Sequence, residues 1–436
     1  MRFVSTFIIT VLFVSMQTYS QPPAELAEIW DKQHVSKIAP SNMRHRDLLP
    51  MLDGLKKIGL KVEQVGESYG KRSIHQIEFG KGPLKVFMWS QMHGDEPTAT
   101  PALIDMFTVL QNNRDEDWVK KIESTVTIRA VPMLNPDGAE LYVRRNLQGI
   151  DINRDARDLK TPEAQLLKKL RDEWLPSIGF NLHNQNSLTA AGRTSKQAAI
   201  SFLAVYGDEA KTDTEGHVKN KRLISVMNSA LNQFIPGHIG RYGDEWTPSA
   251  FGDTFSESGT PVILIETGGL HAKDEMFLVK MNFVAFLTTF VSLADGSERT
   301  ISPSNYDLIP ENMGGRIVDI IVRNGTLIDR EVEANNITAD LSLVRQRRRA
   351  QFNTPTNIRR IGDLASVSGL DEYDATGFNV VGRFQPLKPG AAGELLFYKK
   401  SRTVDWKAID IIKDFPPDAI FSVGAWIVGA GIVPKK

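Results

Sequence analysis

The stretch Lys85-Val86-Phe87-Met88-Trp89-Ser90-Gln91 runs directly into Met92-His93-Gly94-Asp95-Glu96-Pro97. Its first half is short, apolar and aromatic, and it is closed off by a glycine and a proline, which predicts a buried strand ending in a turn. An imidazole and a carboxylate three residues apart, at the C-terminal end of a strand, can point into one crevice of an α/β sheet. Taken alone, a His-x-x-Glu pair occurs by chance in many chains, where the histidine only closes a loop.

Working outward, three more runs predict buried strands: Thr125–Met133, Ile178–Leu182 and Val262–Glu266. Between them the apolar spacing is helical over Thr98–Leu110 and Glu163–Trp174, with Pro97 and Pro162 placed for first helical turns. Strands alternating with helices make the chain α/β up to about residue 298. Ser302–Asn312 has the Pro, Ser and Asn content of a linker. Beyond it, Arg316–Arg323, Asn379–Phe384 and Gly393–Tyr398 are short β-like runs between Gly and Asn turns, which predicts a small β-rich C-terminal domain. The last apolar run, Ile420 to Val433, holds three glycines and reads as a strand or hairpin. A helical pattern beginning near Ala339 would display Arg345, Arg347, Arg348 and Arg349 on a solvated face. The expected layout is 1–20 leader, 21–300 catalytic domain, 301–312 linker and 313–436 β-rich domain.

Composition limits the chemistry. The chain has 436 residues, 52 Lys and Arg against 52 Asp and Glu, eight histidines and no cysteine. Zero net charge argues against a nucleic-acid or membrane-surface binder. Without cysteine there is no disulfide, thiolate zinc site, iron–sulfur cluster or thiol nucleophile, so any metal must sit on His, Asp and Glu.

At the N-terminus, Arg2 precedes an apolar region from Phe3 to Met16, and Thr18-Tyr19-Ser20 offers a cleavage site before Gln21. This reads as a signal peptide of an exported protein, and the apolar run is short for a bilayer span. No span is expected in the mature chain.

Chemistry-bearing residues sit at the other strand ends too. Asn181-Leu182-His183-Asn184 ends one run on a second histidine. Two histidines and a carboxylate make a three-ligand zinc site with a fourth position left for water. Val262-Ile263-Leu264-Ile265-Glu266-Thr267-Gly268-Gly269 ends the most apolar strand on a carboxylate, which is costly unless it faces a site where it can act as a base. Between the histidines lie Asn135-Pro136-Asp137-Gly138 and the stretch from Arg144 and Arg145 through Asn153, Arg154 and Asp155, rich in groups that recognise carboxylates and carbonyls.

In this order, HGDE at 93–96, NPDG at 135–138, RRNLQGIDINR at 144–154, NLH at 181–183 and IETGG at 265–269 resemble the zinc metallocarboxypeptidase family, the carboxypeptidase A-like enzymes. The resemblance covers roughly residues 40–295. It implies a mixed, mostly parallel sheet with helices on both faces. It also implies one zinc ion on His93, Glu96 and His183, Glu266 as general base, and Arg144 as oxyanion stabiliser with Arg145 as its alternative. Asn153 and Arg154 would grip the substrate's terminal carboxylate.

The chain departs from the family pattern in places. Asp155 stands where many relatives have Asn. The substrate-covering tyrosine has only Tyr242 as a nearby candidate, in flanks that match poorly. Asp244, Glu245 and Asp253 fall where the terminal side chain would be read, either as solvated loop acids or as partners of a basic group. His217 lies in a charged stretch that reads as an exposed insertion, and His238 and His271 read as loop histidines. The expected substrate is a peptide. Alternatives are an amidase or endopeptidase acting on cell-wall stem peptides, or a surface binding protein with a vestigial catalytic domain.

Overall fold

The computed structural model describes residues 21–332, 336–346 and 354–436. The leader at 1–20 and the arginines Arg347, Arg348 and Arg349 lie outside the described residues.

The chain opens with helices α1 (Pro23–Gln33) and α2 (His45–Lys57), then strands β1 (Lys61–Glu67), β2 (Ser73–Gly80) and β3 (Leu84–Ser90). Helices α3 (Ala99–Asn112) and α4 (Asp117–Thr125) lead to β4 (Val126–Val131). Next come the short helix α5 (Pro136–Leu141), α6 (Pro162–Trp174) and β5 (Ile178–Asn184). β6 (Ala190–Ala191), β7 (Ile200–Ala204), α7 (Glu215–Leu231) and β8 (Ile239–Arg241) follow. Helix α8 (Phe251–Glu257), β9 (Val262–Thr267) and α9 (Glu275–Asp295) complete this part.

Eight strands make one sheet in the order β1-β2-β4-β3-β5-β9-β7-β8. Its centre, β4-β3-β5-β9, is parallel, while β2 on β4 and β7 on β9 are antiparallel. The sheet is mixed α/β, and alternation along β3 shows why it needs cover on both sides. Val86 and Met88 enter a core shared with α1, α3, α7 and α9, whereas Phe87 and Trp89 enter a second core with Trp174 of α6 and Phe255 of α8. Helix starts follow local chemistry: Pro162 opens α6 and the Thr161 hydroxyl accepts from Ala164 N. Helix α9 is apolar enough all round to cross a membrane by composition, but 83% of its most apolar window is buried inside the fold. A helix with no polar stripe suits the centre of a core.

Two expectations change here. The charged stretch around His217 is exposed only at residues 209–215, up to the start of α7. His217 is buried on α7, with Nδ1 against Asp213 at 2.7 Å, Nε2 against the Ala204 carbonyl at 3.0 Å, and its ring stacked on Tyr206. Pairing both ring nitrogens makes burial of the polar group affordable. The residues of the supposed linker are also tied down, since Tyr306 and Ile309 are buried in the first core.

The C-terminal part begins with β10 (Asn312–Met313), which pairs with β6 of the first part. It continues with β11 (Ile317–Ile328), β12 (Ile337–Arg345), β13 (Thr356–Gly362), β14 (Ser368–Asp374) and β15 (Phe378–Gly382). β16 (Leu395–Lys399), the short helix α10 (Ile411–Asp414), β17 (Ala419–Ser422) and β18 (Ala425–Val428) end it. The sheet runs β13-β12-β11-β15-β16-β17-β18, with β14 also on β11, and the last two strands form the expected hairpin. The helical pattern near Ala339 is instead strand β12, hydrogen-bonded by β11 on one side and β13 on the other. Leu341 and Leu343 alternate into the core, and pairing on both edges overrides the helical spacing.

Candidate metal centre and substrate cleft

Strand register brings the first two groups together. In the parallel β5/β9 ladder His183 is the direct partner of Glu266. Residues in register on neighbouring strands share a face, so both side chains leave the sheet on one side, at its C-terminal edge. His93 arrives from the loop after β3. That loop presses against the start of α5, where a Cβ on Gly94 would overlap the backbone of Gly138 and Ala139. Asn135 fastens the same contact: its Oδ1 caps α5 by accepting from Gly138 N, and its Nδ2 donates to the carbonyls of Met92 and Arg144. The NPDG motif therefore holds the His93 loop and the Arg144 loop in one place.

Three donors converge. His93 Nδ1 is 2.8 Å from Glu96 Oε1, His183 Nδ1 is 2.6 Å from Glu96 Oε2, and the two Nδ1 atoms are 3.2 Å apart. Zinc bonds of about 2.0–2.2 Å in a tetrahedron put neighbouring ligand atoms about 3.3 Å apart, so these spacings suit a zinc ion. The proton on His93 is set by Asp151, whose Oδ1 accepts from Nε2 at 3.0 Å, leaving the Nδ1 lone pair for the centre. Burial pushes the His183 pKa down, towards the neutral ring that a metal needs. Burial opposes ionisation of Glu96, yet His183 and His93 hold its carboxyl well below the usual carboxylate range. The donor set fits zinc in residue type and spacing.

The same groups organise the surroundings. Asp151 Oδ2 accepts from Arg144 Nε at 2.9 Å, and its Oδ1 also caps the turn Ile152–Arg154 through Asn153 N. Arg144 Nη1 reaches Glu96 Oε1 at 3.1 Å. The loop carrying Arg144 is closed by Asn146, whose Oδ1 accepts from Gln148 N and Ile150 N and whose Nδ2 donates to the buried Glu163.

The three donors, Glu266 and Arg144 open on one cleft of about 630 Å³. It is lined by His93, Glu96, His183 and Glu266, by Arg144, and by Asn153, Arg154 and Tyr242. Burial, then the charge of Glu96, pushes the Glu266 pKa well above the carboxylate range, while Arg144 pulls the other way. Burial, with Glu266 and Glu96 nearby, raises the Tyr242 pKa and keeps its phenol a donor. Asn153 Oδ1 accepts from Phe251 N at 3.0 Å, tying this wall to α8.

Other candidates go elsewhere. Arg145 does not line the cleft, and its Nη1 donates to the Gly149 carbonyl. Asp155 is buried, accepting from Lys160 N and Thr161 N, so it braces the start of α6 and does not line the cleft. Asp244 pairs with Lys211 away from the cleft, whereas Glu245 and Asp253 line it. Burial pushes the Asp253 pKa up to about 6. The reading of the sequence assigned no role to Asp151, although its place two residues before Asn153 was a usable signal. Asn312 and Gly314 also line the cleft, and no local pattern could have placed them there.

The zinc carboxypeptidase family model matches residues 51–220. This segment belongs to the zinc carboxypeptidase family. The match spans His93, Glu96, Arg144, Asn153, Arg154 and His183 of the carboxypeptidase segment and stops before Tyr242 and Glu266. Carboxypeptidase E of Caenorhabditis elegans is 31% identical over 127 residues, covering 24% of this chain and 27% of that protein. Carboxypeptidase 2 of Trichophyton equinum is 27% identical over 219 residues, covering 49% of this chain and 38% of that protein. The chain thus spans well under half the length of either relative. A metallo-carboxypeptidase structure from Burkholderia cenocepacia overlays with a TM-score of 0.49 at 14% identity, covering 58% of this chain and 69% of that one.

Proposed function

We propose that this chain is an exported zinc-dependent carboxypeptidase that removes C-terminal residues from peptides. The observation that carries the reading is the meeting, in one cleft, of a His-Glu-His donor set with Glu266, Arg144, Asn153 and Arg154. A zinc ion held by His93, Glu96 and His183 would supply Lewis acidity towards a peptide carbonyl and acidify water. With a cation on the donor set offsetting burial and the charge of Glu96, Glu266 is ionised, takes the proton of the attacking water and returns it to the leaving amine. Arg144 donates to the carbonyl oxygen as negative charge builds there. Arg154, with Asn153, holds the free terminal carboxylate and so selects the last peptide bond. The Tyr242 phenol donates from the cleft wall to the bound chain. Export follows from the leader at 1–20, with cleavage near Ser20.

The test is Glu266→Gln in the full chain, assayed by mass spectrometry on linear peptides and on a muropeptide stem, with metal content measured alongside. Turnover should fall by about a thousandfold or more while one zinc per chain is retained. Retained turnover would overturn the role of Glu266. Cleavage confined to the muropeptide would move the assignment to a cell-wall amidase or endopeptidase, and a zinc-loaded wild type that cleaves nothing would favour a binding protein.

A further inference from the structure

A second hollow, of about 710 Å³, adjoins the metal cleft, and the two share Asn184, Gln185 and Asn186 as a common wall. Its remaining walls include residues from two distant parts of the chain. The loop after β9 supplies His271 and Lys273, and the C-terminal sheet supplies Val344 and Arg345 of β12 and Leu370 of β14.

The C-terminal sheet is held firmly in this position. Asn312 Nδ2 donates to Gln185 Oε1 at 2.7 Å, and Asn312 Oδ1 accepts from the Ser201 hydroxyl at 2.8 Å. β10 pairs with β6, and Leu188, Ala190 and Ile317 form a buried apolar cluster against which Met313, Val344 and Leu370 pack. Gln185, part of the shared wall, is thus oriented by a residue of the C-terminal part.

Charge in the hollow is unevenly committed. Asp274 caps α9 through Phe277 N, and Glu275 accepts from Ser41 N. Asp371, next to Leu370, pairs with Lys435 and lies 3.7 Å from His271. Arg345 pairs with no carboxylate among the described residues; there, the one hydrogen bond of its guanidinium is a long one, 3.4 Å from Nη2 to the Gly424 carbonyl. A guanidinium in a polar hollow with its fork uncommitted is a site for a carboxylate.

Asn153, Arg154 and Asp253 line the metal cleft and not the second hollow. A peptide whose terminal carboxylate sits at Arg154 can extend its amino-terminal part past the shared wall. We propose that the second hollow receives the substrate residues on the amino side of the scissile bond, and that Arg345 is a specificity residue favouring an acidic side chain there. This rests on the carboxypeptidase reading above. The C-terminal sheet then forms part of the substrate site.

The test uses the full zinc-loaded chain and N-blocked hexapeptides with a constant C-terminal residue. One residue, two to four places upstream of the scissile bond, is varied among Asp, Ala and Lys. At one of these positions the kcat/KM ratio of Asp over Ala peptides should be about tenfold in the wild type, the worth of one charge-assisted hydrogen bond. It should fall to within about twofold of unity in Arg345→Ala and be partly restored in Arg345→Lys. The same ratio should appear in Kd, measured calorimetrically in the Glu266→Gln background. No acid preference in the wild type, or a preference unchanged in Arg345→Ala, overturns the proposal. If the wild type releases no C-terminal residue, the carboxypeptidase reading fails, and the Kd ratio alone then decides the role of Arg345.

Discussion

Asp151 Oδ1 accepts from His93 Nε2 at 3.0 Å, behind the nitrogen that faces the metal centre. The carboxylate fixes the tautomer of His93 and raises the basicity of its Nδ1. Asp151→Asn keeps the shape but removes the charge, and its amide can present a donor to a nitrogen that is itself a donor. Zinc affinity, measured by competition with a chromophoric chelator, should fall by about 10–100-fold. Because Asp151 also holds Arg144, kcat at saturating zinc should fall as well. Unchanged zinc affinity would show that Asp151 only shapes the loop.

Asp253 yields a pH dependence. Its pKa of about 6 lies above the usual value because burial disfavours the charged form. Above pH 6 the cleft therefore gains a negative charge at this position. The ratio of kcat/KM for Lys-terminated over Ala-terminated peptides should rise as pH increases through about 6, and Asp253→Asn should flatten it. The sign for stability is the reverse. With a folded-state pKa above the unfolded value of about 3.9, the native chain holds the extra proton between the two values. Asp253 thus contributes stability at low pH that is lost as pH rises towards 6, and Asp253→Asn should lose less stability over that window in urea melts. A ratio indifferent to pH would place the recognition elsewhere.

Gly94 is needed for space. A Cβ there meets backbone of Gly138 and Ala139, and backbone cannot swing aside as a long side chain can. Gly94→Ala should displace the His93 loop, costing about 1–3 kcal/mol of stability and weakening zinc binding while far-ultraviolet circular dichroism stays native. Zinc affinity equal to that of the wild type would mean that the loop yields without moving its histidine.

Much of the site could be read from sequence because its residues sit at the ends of apolar runs. Lys85–Gln91 and Val262–Glu266 closely match β3 and β9, since a strand buried on both faces must be apolar throughout and little else has that composition. Helix α9 escaped notice for the related reason that continuous apolarity carries no periodic signal. His217 was misread because its partners, Asp213 and the Ala204 carbonyl, satisfy the ring by burial geometry, which flanking composition does not report.

The order of motifs, the types of the candidate donor residues and the central strands were determined by local sequence, because burial pattern and residue chemistry are properties of short segments. Tertiary structure alone decided the rest. Parallel register set His183 beside Glu266, the α5 contact aimed His93, and β12 replaced a helical pattern once β11 and β13 paired with both its edges. The entry of Asn312 and Arg345 into the cleft walls belongs to the same class. Each depends on contacts between segments far apart in the chain, whose energies no local window contains.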